Sequence, residues 1–240
     1  MSDEYITIGR RFNGPPQSGH GGYVCGLLGG LIGGPSEVTL RKPPPLDRPL
    51  AVQRLEGGSI ALREGEAVVA EGVPAEIELD IPPPLTLAEA TSASQSYLPI
   101  RRDAFGTCFG CGTRRPEGDG LRIFPGPLPE RDVVTAPWTP DASLSTADGA
   151  VGPEFVWAAL DDAGAWAFYL QDTSNWPLLL GRMAARLLAP VRAGEPHVVI
   201  GWPRGQDGRK YYSGTALFGE DGSLRAFARA IWIRSAPSTA

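Results

Sequence analysis

The chain has 240 residues, 42% of them apolar, and a formal net charge of −5. That length suits one large domain or two fused units of about 100–130 residues each. Neither half is a basic nucleic-acid footprint, because residues 1–100 carry 7 basic and 12 acidic side chains and residues 101–240 carry 15 of each.

No apolar run approaches the ~18–20 residues of a membrane span. The acidic start Met1-Ser2-Asp3-Glu4 lacks signal-peptide architecture. The expectation is a soluble, cytoplasmic protein with no nucleic-acid or membrane partner.

In chain order, residues 5–12 predict a first strand, stopped by Asn13-Gly14-Pro15-Pro16, since proline fixes φ and removes a donor. The stretch from His20 to Ile32 predicts a short apolar helix. Its glycines, Gly21, Gly22, Gly26, Gly29 and Gly30, each cost roughly 1 kcal/mol relative to alanine in a helix. Propensity does not account for such a helix; burial with close approach of other backbone does. Four strands follow, at 37–42, 49–55, 58–64 and 66–79. Residues 82–107, rich in Pro, Ala, Ser and Thr, show no sustained period and read as a joining segment.

The second half predicts strands at 121–124 and 132–138, then one helix of about 17 residues from Glu154 to Leu170. Strands at 182–190, 196–202, 209–218 and 223–234 complete it, with glycine-bounded hairpin turns at 205–208 and 219–222. The two halves repeat one plan. Residues 19–52 and 151–199 each run from a glycine-rich approach through an apolar helix to a strand, and Arg41…Pro45 answers Arg186…Pro190. A lone helix amid antiparallel strands must bury its apolar surface on the sheet. The expected fold is therefore α+β, a continuous antiparallel sheet wrapped around two central helices. The expected units are 1–92 and 108–240, with 93–107 as linker.

Three cysteines are too few for a disulfide framework. Cys108-Phe109-Gly110-Cys111-Gly112 has metal-ligand spacing, but zinc takes about four ligands. No second Cys pair exists, and the only histidines are His20 and His197. The expectation is no metal, and a tight glycine turn with two small, buried thiols.

The cysteine turn followed by Gly120-Leu121-Arg122-Ile123-Phe124 resembles the opening of small hotdog-fold acyl-CoA thioesterases of the phenylacetate-degradation type. Leu187-Leu188-Ala189-Pro190-Val191-Arg192-Ala193-Gly194-Glu195 is similar to the strand and turn after their helix, and His20-Gly21-Gly22 to the motif that starts it. The chain thus resembles a tandem, double-hotdog thioesterase. The resemblance implies a helix-borne acid seven positions after the second Gly. That position is Gly29 in the first copy and, counted from Glu154, Asp161 in the second. The copies divide the labour, with His-Gly-Gly in one and the carboxylate in the other, which implies one asymmetric site per chain.

On that reading Asp161 acts as base or nucleophile, with its neighbour Asp162 as the alternative carboxylate. Backbone N–H groups of Gly21 or Gly22 hold the oxyanion at a helix N-terminus. His20 orients the thioester or water, and Asn13 adds a hydrogen bond. Trp157 and Trp166 belong either to the core or to the lining of the acyl pocket, and Arg114, Arg115 and Arg182 meet the phosphates of coenzyme A, which enters as part of the substrate rather than as a cofactor. The implied partner is an acyl thioester on coenzyme A or a carrier protein, and the implied assembly a homodimer. A non-catalytic acyl-CoA-binding or regulatory protein, or a hotdog dehydratase or hydratase, is the alternative.

Overall fold

The structure, a computed structural model, describes residues 4–97, 105–169 and 177–235. Eleven strands form one antiparallel sheet. The first half supplies β1 (Tyr5–Thr7), β2 (Ser36–Leu40), β3 (Pro49–Arg54), β4 (Ile60–Glu64) and β5 (Ala67–Pro74). The second supplies β6 (Gly126–Leu128), β7 (Val133–Trp138), β8 (Leu178–Leu187), β9 (His197–Asp207), β10 (Lys210–Gly219) and β11 (Leu224–Arg234). Their spatial order is β1-β3-β4-β5-β2-β8-β11-β10-β9-β7-β6. The halves meet at β2 and β8, where Val38 stands opposite Met183 and Thr39 opposite Arg182.

Helix α1 (Gly21–Ile32) lies on the inner face of the sheet beside α3 (Pro153–Ala159) and α4 (Asp162–Tyr169). Leu28, Val38, Leu62, Val69, Trp157 and Met183 belong to the core between helices and sheet. The glycines of α1 mark its contact with α3. A Cβ on Gly26 would lie 2.5 Å from Glu154 Cα, and one on Gly29 would lie 2.7 Å from the Trp157 ring. Both distances are shorter than any side chain tolerates. The helix therefore gives up propensity for a backbone-to-backbone approach.

Several sequence expectations are corrected here. The first strand ends at Thr7, and residues 10–12 form a 3₁₀ turn. Residues 121–124 are not a strand; the short β6 begins at Gly126 instead. β5 ends at Pro74, and the chain beyond crosses the outer face of the sheet, burying Ile77 and Leu85 there. The joining segment contains helix α2 (Leu87–Ser94), fixed by a capping box in which Thr86 accepts from the Glu89 N–H and Glu89 accepts from the Thr86 N–H. This helix runs across residue 92 and packs on β7 and β6 of the second half. Of the predicted linker 93–107, residues 98–104 lie outside the described residues, as does Leu170 at the predicted helix end.

The long predicted helix is broken between α3 and α4. At the break Asp161 N–H bonds the Ala158 carbonyl and Leu160 N–H is shared between Val156 and Trp157, so the chain tightens from i→i−4 to i→i−3 bonding. Strand β8 begins at Leu178, four residues before the predicted start.

The contact between α1 and α3 yields a test. Gly26→Ala gains helix propensity but forces α3 outward, and the net expectation is a loss of about 2 kcal/mol. A urea unfolding midpoint that stays put or rises would contradict the close-packing account.

Candidate functional site

The break between α3 and α4 places Asp161 against the first turn of α1. The Gly22 N–H donates to Asp161 Oδ2 at 2.6 Å. A Cβ on Gly22 would lie 2.6 Å from the Asp161 Cβ, so only glycine allows the carboxylate this close to the helix end. Asp161 is buried, and its second oxygen, Oδ1, has no hydrogen-bond partner among the described residues.

His20 is the N-cap of α1. It is buried, its Nδ1 accepts from the Tyr23 N–H at 3.3 Å, and the same atom lies 3.4 Å from Asp161 Oδ2. Its Nε2 lies 3.2 Å from Asp162 Oδ2. The other Asp162 oxygen accepts from the Cys111 thiol at 3.2 Å and faces the Cys108 thiol at 3.9 Å. Both cysteines are buried and reduced. The turn that carries them is tied down by Phe109 N–H on the Asn13 carbonyl and Leu121 N–H on the Phe109 carbonyl.

Charge in this cluster is shared. Burial pushes the Asp161 carboxyl up to about 7, against the pull of His20 and the Gly22 N–H and with help from Asp162. Burial alone would lower His20, but Asp162 and Asp161 opposite it outweigh that and hold it well above its ordinary value. The Cys111 hydrogen bond draws the Cys108 thiol down to about 6 against its burial, while the same contact and burial raise Cys111.

A cavity of about 420 Å³ opens onto these groups. His20, Gly21, Cys108, Cys111, Asp161 and Asp162 form its polar wall. Its apolar wall comes from Ala165, Trp166 and Tyr169 of α4, Leu178–Leu180 of β8, and Trp232 and Ile233 of β11. Arg41 and Lys42, both exposed, stand at its rim.

The structure thus brings His20, Gly21, Gly22 and Asp161 together. The other predicted residues lie elsewhere. The Gly22 N–H is given to Asp161 and is not available to an oxyanion. Asn13 is buried away from the cavity, donating to the Gly14 carbonyl and to Thr107 Oγ1. Arg115 is a buried bracket: it donates to the carbonyls of Thr107, Cys108 and Arg11, to Asn13 Oδ1 at 2.7 Å, and to Asp119. Arg114 lies over Gly106, outside the cavity lining. Arg182 bonds Thr39 and pairs with Glu37, and it does not line the cavity. Trp157 is core, packed on Gly26 and Gly29, and Trp166 is the tryptophan that lines the cavity. Sequence reasoning missed the meeting of Cys108, Cys111 and Asp162 with His20. The C-x-x-C spacing was the available signal, but the ligand count discounted it.

Comparison with known proteins places the fold. A thioesterase assigned provisionally from Novosphingobium aromaticivorans shares 14% identity over 98% of this chain and 96% of its own, with a TM-score of 0.64. The acyl-CoA thioesterase II TesB2 of Mycobacterium marinum shares 13% identity over 100% of this chain and 98% of its own, with a TM-score of 0.60. A hot dog fold protein of unknown function from Alicyclobacillus acidocaldarius shares 11% identity over 97% of this chain and 93% of its own, with a TM-score of 0.56. No protein-family model and no curated protein matches the chain.

The bracket role of Arg115 can be checked directly. Arg115→Met leaves buried carbonyls of the cysteine turn without a donor and is expected to cost about 3 kcal/mol. An unchanged denaturant midpoint would reject the bracket.

Proposed function

We propose that this double-hotdog chain hydrolyses an acyl thioester of coenzyme A or a carrier protein, at one asymmetric site between α1 and the α3–α4 break. The observation that carries the reading is Asp161. It is a buried carboxylate on a cavity wall, with one oxygen held by the Gly22 N–H and the other without a partner among the described residues. The thioesterases among the structural neighbours agree with the reading but carry only the fold.

On this reading the Asp161 carboxylate, held by the Gly22 N–H, takes a proton from a water as that water attacks the thioester carbonyl carbon. The negative charge that forms on the carbonyl oxygen meets the Gly21 N–H, an N–H in the first turn of α1 with no acceptor inside the helix. Collapse of the tetrahedral intermediate breaks the carbon–sulfur bond, and the proton held by Asp161 passes to the leaving sulfur. The products are a carboxylic acid and a thiol. His20 is a positioning residue here: it caps α1 and flanks Asp161 Oδ2, which keeps donor and carboxylate in register.

The apolar wall around Trp166 and Leu180 accepts the acyl chain. Arg41 and Lys42 at the rim, rather than Arg114, Arg115 and Arg182, meet the coenzyme A phosphates. Coenzyme A is then part of the substrate and not a resident cofactor. A homodimer belongs to the same reading. Because the edge strands β1 and β6 are only three residues each, its contact uses a sheet face or helices.

The test is hydrolysis of an acyl-CoA panel by wild type and Asp161→Asn. We expect kcat to fall by about 10²–10⁴, the usual worth of a positioned base. Wild-type kcat/KM should rise with pH through about 7, because only the ionised Asp161 accepts a proton. Wild-type rates in Asp161→Asn would sink the role of Asp161. Binding without turnover by wild type would replace hydrolysis with acyl-CoA binding.

A further inference from the structure

Four donor groups converge where the turn at residues 108–112 meets the N-termini of α1 and α4. A ring nitrogen of His20, Cys108 Sγ and a carboxylate oxygen of Asp162 all lie within 4.8 Å of one another. Cys111 Sγ adds a fourth group, 3.2 Å from Asp162 Oδ1. His20, Cys108 and Cys111 are buried, so the donors face one another and the cavity rather than bulk solvent.

The spacing is close to that of a coordination shell, with both Asp162 oxygens engaged. Tetrahedral zinc with Zn–S near 2.3 Å and Zn–N or Zn–O near 2.0–2.1 Å sets its ligand atoms about 3.3–3.8 Å apart. Here His20 Nε2 to Asp162 Oδ2 is 3.2 Å, Cys111 Sγ to Asp162 Oδ1 is 3.2 Å, and Cys108 Sγ to Asp162 Oδ1 is 3.9 Å. Gly110 is what lets the turn fold over the cluster. A Cβ there would fall onto Asp162 Oδ2 and close on His20 Nε2.

We propose that His20, Cys108, Cys111 and Asp162 form a Cys₂HisAsp site for one zinc ion per chain, built into the wall of the cavity. Two thiolates and an imidazole favour zinc over magnesium or calcium, which take oxygen ligands. Zinc displaces the protons held by the two thiols and by His20 Nε2, and no electron changes hands, so no oxidant or reductant is required. His20 is already backed for the role. With Nε2 on the metal, its ring proton sits on Nδ1 and faces Asp161 Oδ2 at 3.4 Å, the carboxylate–histidine–metal arrangement common around zinc. The Tyr23 N–H, which bonds Nδ1 in this structure, then loses that acceptor. The ion would pin the cysteine turn to both helices and fix the orientation of His20 beside Asp161. This site stands on its donor set and not on the hydrolysis reading.

The experiment is metal analysis of the full chain purified without chelator, then stripped and reloaded with zinc or with cobalt. We expect one zinc per chain, and a cobalt form with tetrahedral ligand-field bands and a thiolate-to-cobalt charge-transfer band. Cys108→Ser and Cys111→Ser should each weaken zinc binding by more than about 100-fold, beyond what the loss of a second-sphere partner costs. The wild-type cobalt spectrum decides the matter even if a variant fails to fold. Wild type that takes up no stoichiometric zinc on reloading would overturn the site. So would a cobalt form without thiolate bands, or a reloaded protein whose Cys108 and Cys111 are joined in a disulfide. Since the readouts are metal content and spectrum, a failure here is distinct from a failure to hydrolyse acyl-CoA.

Discussion

The site depends on one hydrogen bond, from the Gly22 N–H to Asp161 Oδ2 at 2.6 Å. It joins the first turn of α1 to the break between α3 and α4, across the seam of the two halves. The bond exists because α1 has no side chains in the way. Gly22, Gly26 and Gly29 face Asp161, Glu154 and Trp157 at distances that exclude a Cβ. The free energy lost in glycine helix propensity is offset by burial of both helices in one core, in which Leu28, Val156 and Leu160 are fully or almost fully buried. The same bond directs the chemistry. It fixes one carboxylate oxygen and leaves the other buried without a hydrogen-bond partner among the described residues, and burial raises the carboxyl's pKa.

Much of this was legible in the sequence. Five glycines in a twelve-residue apolar run have no account except close packing, and that inference led to a helix pressed against backbone. The resemblance to hotdog thioesterases, carried onto the internal repeat, implied Asp161 opposite His20-Gly21-Gly22, and the structure brings them together. The antiparallel strands were readable from the glycine turns between them, and the strand predicted at 182–190 answers the strand after α1 in the repeat.

What escaped the sequence has physical causes. The α3–α4 break leaves no glycine or proline mark at the break itself; it is a local tightening at Leu160 and Asp161, where the chain packs against the first turn of α1. Arg115 reads like any exposed arginine until the fold folds residues 11–13 and 107–108 around its guanidinium. Helix α2 did leave a signal, Thr86 followed three residues later by Glu89, which the surrounding prolines hid. The cysteine turn was discounted on ligand count because its partners, His20 and Asp162, lie about 90 and 50 residues away in sequence and meet it only in three dimensions.

The central claim of the proposed function is spatial: the reacting carbonyl would sit between the Asp161 carboxylate and the N–H of Gly21. A crystal structure of Asp161→Asn with a bound, uncleaved acyl-CoA tests it most directly. The account predicts the carbonyl oxygen within hydrogen-bond distance of the Gly21 nitrogen, the acyl chain against Trp166 and Leu180, and residue 161 flanking the carbonyl carbon. An acyl-CoA bound with its thioester away from Gly21 and residue 161 would contradict it.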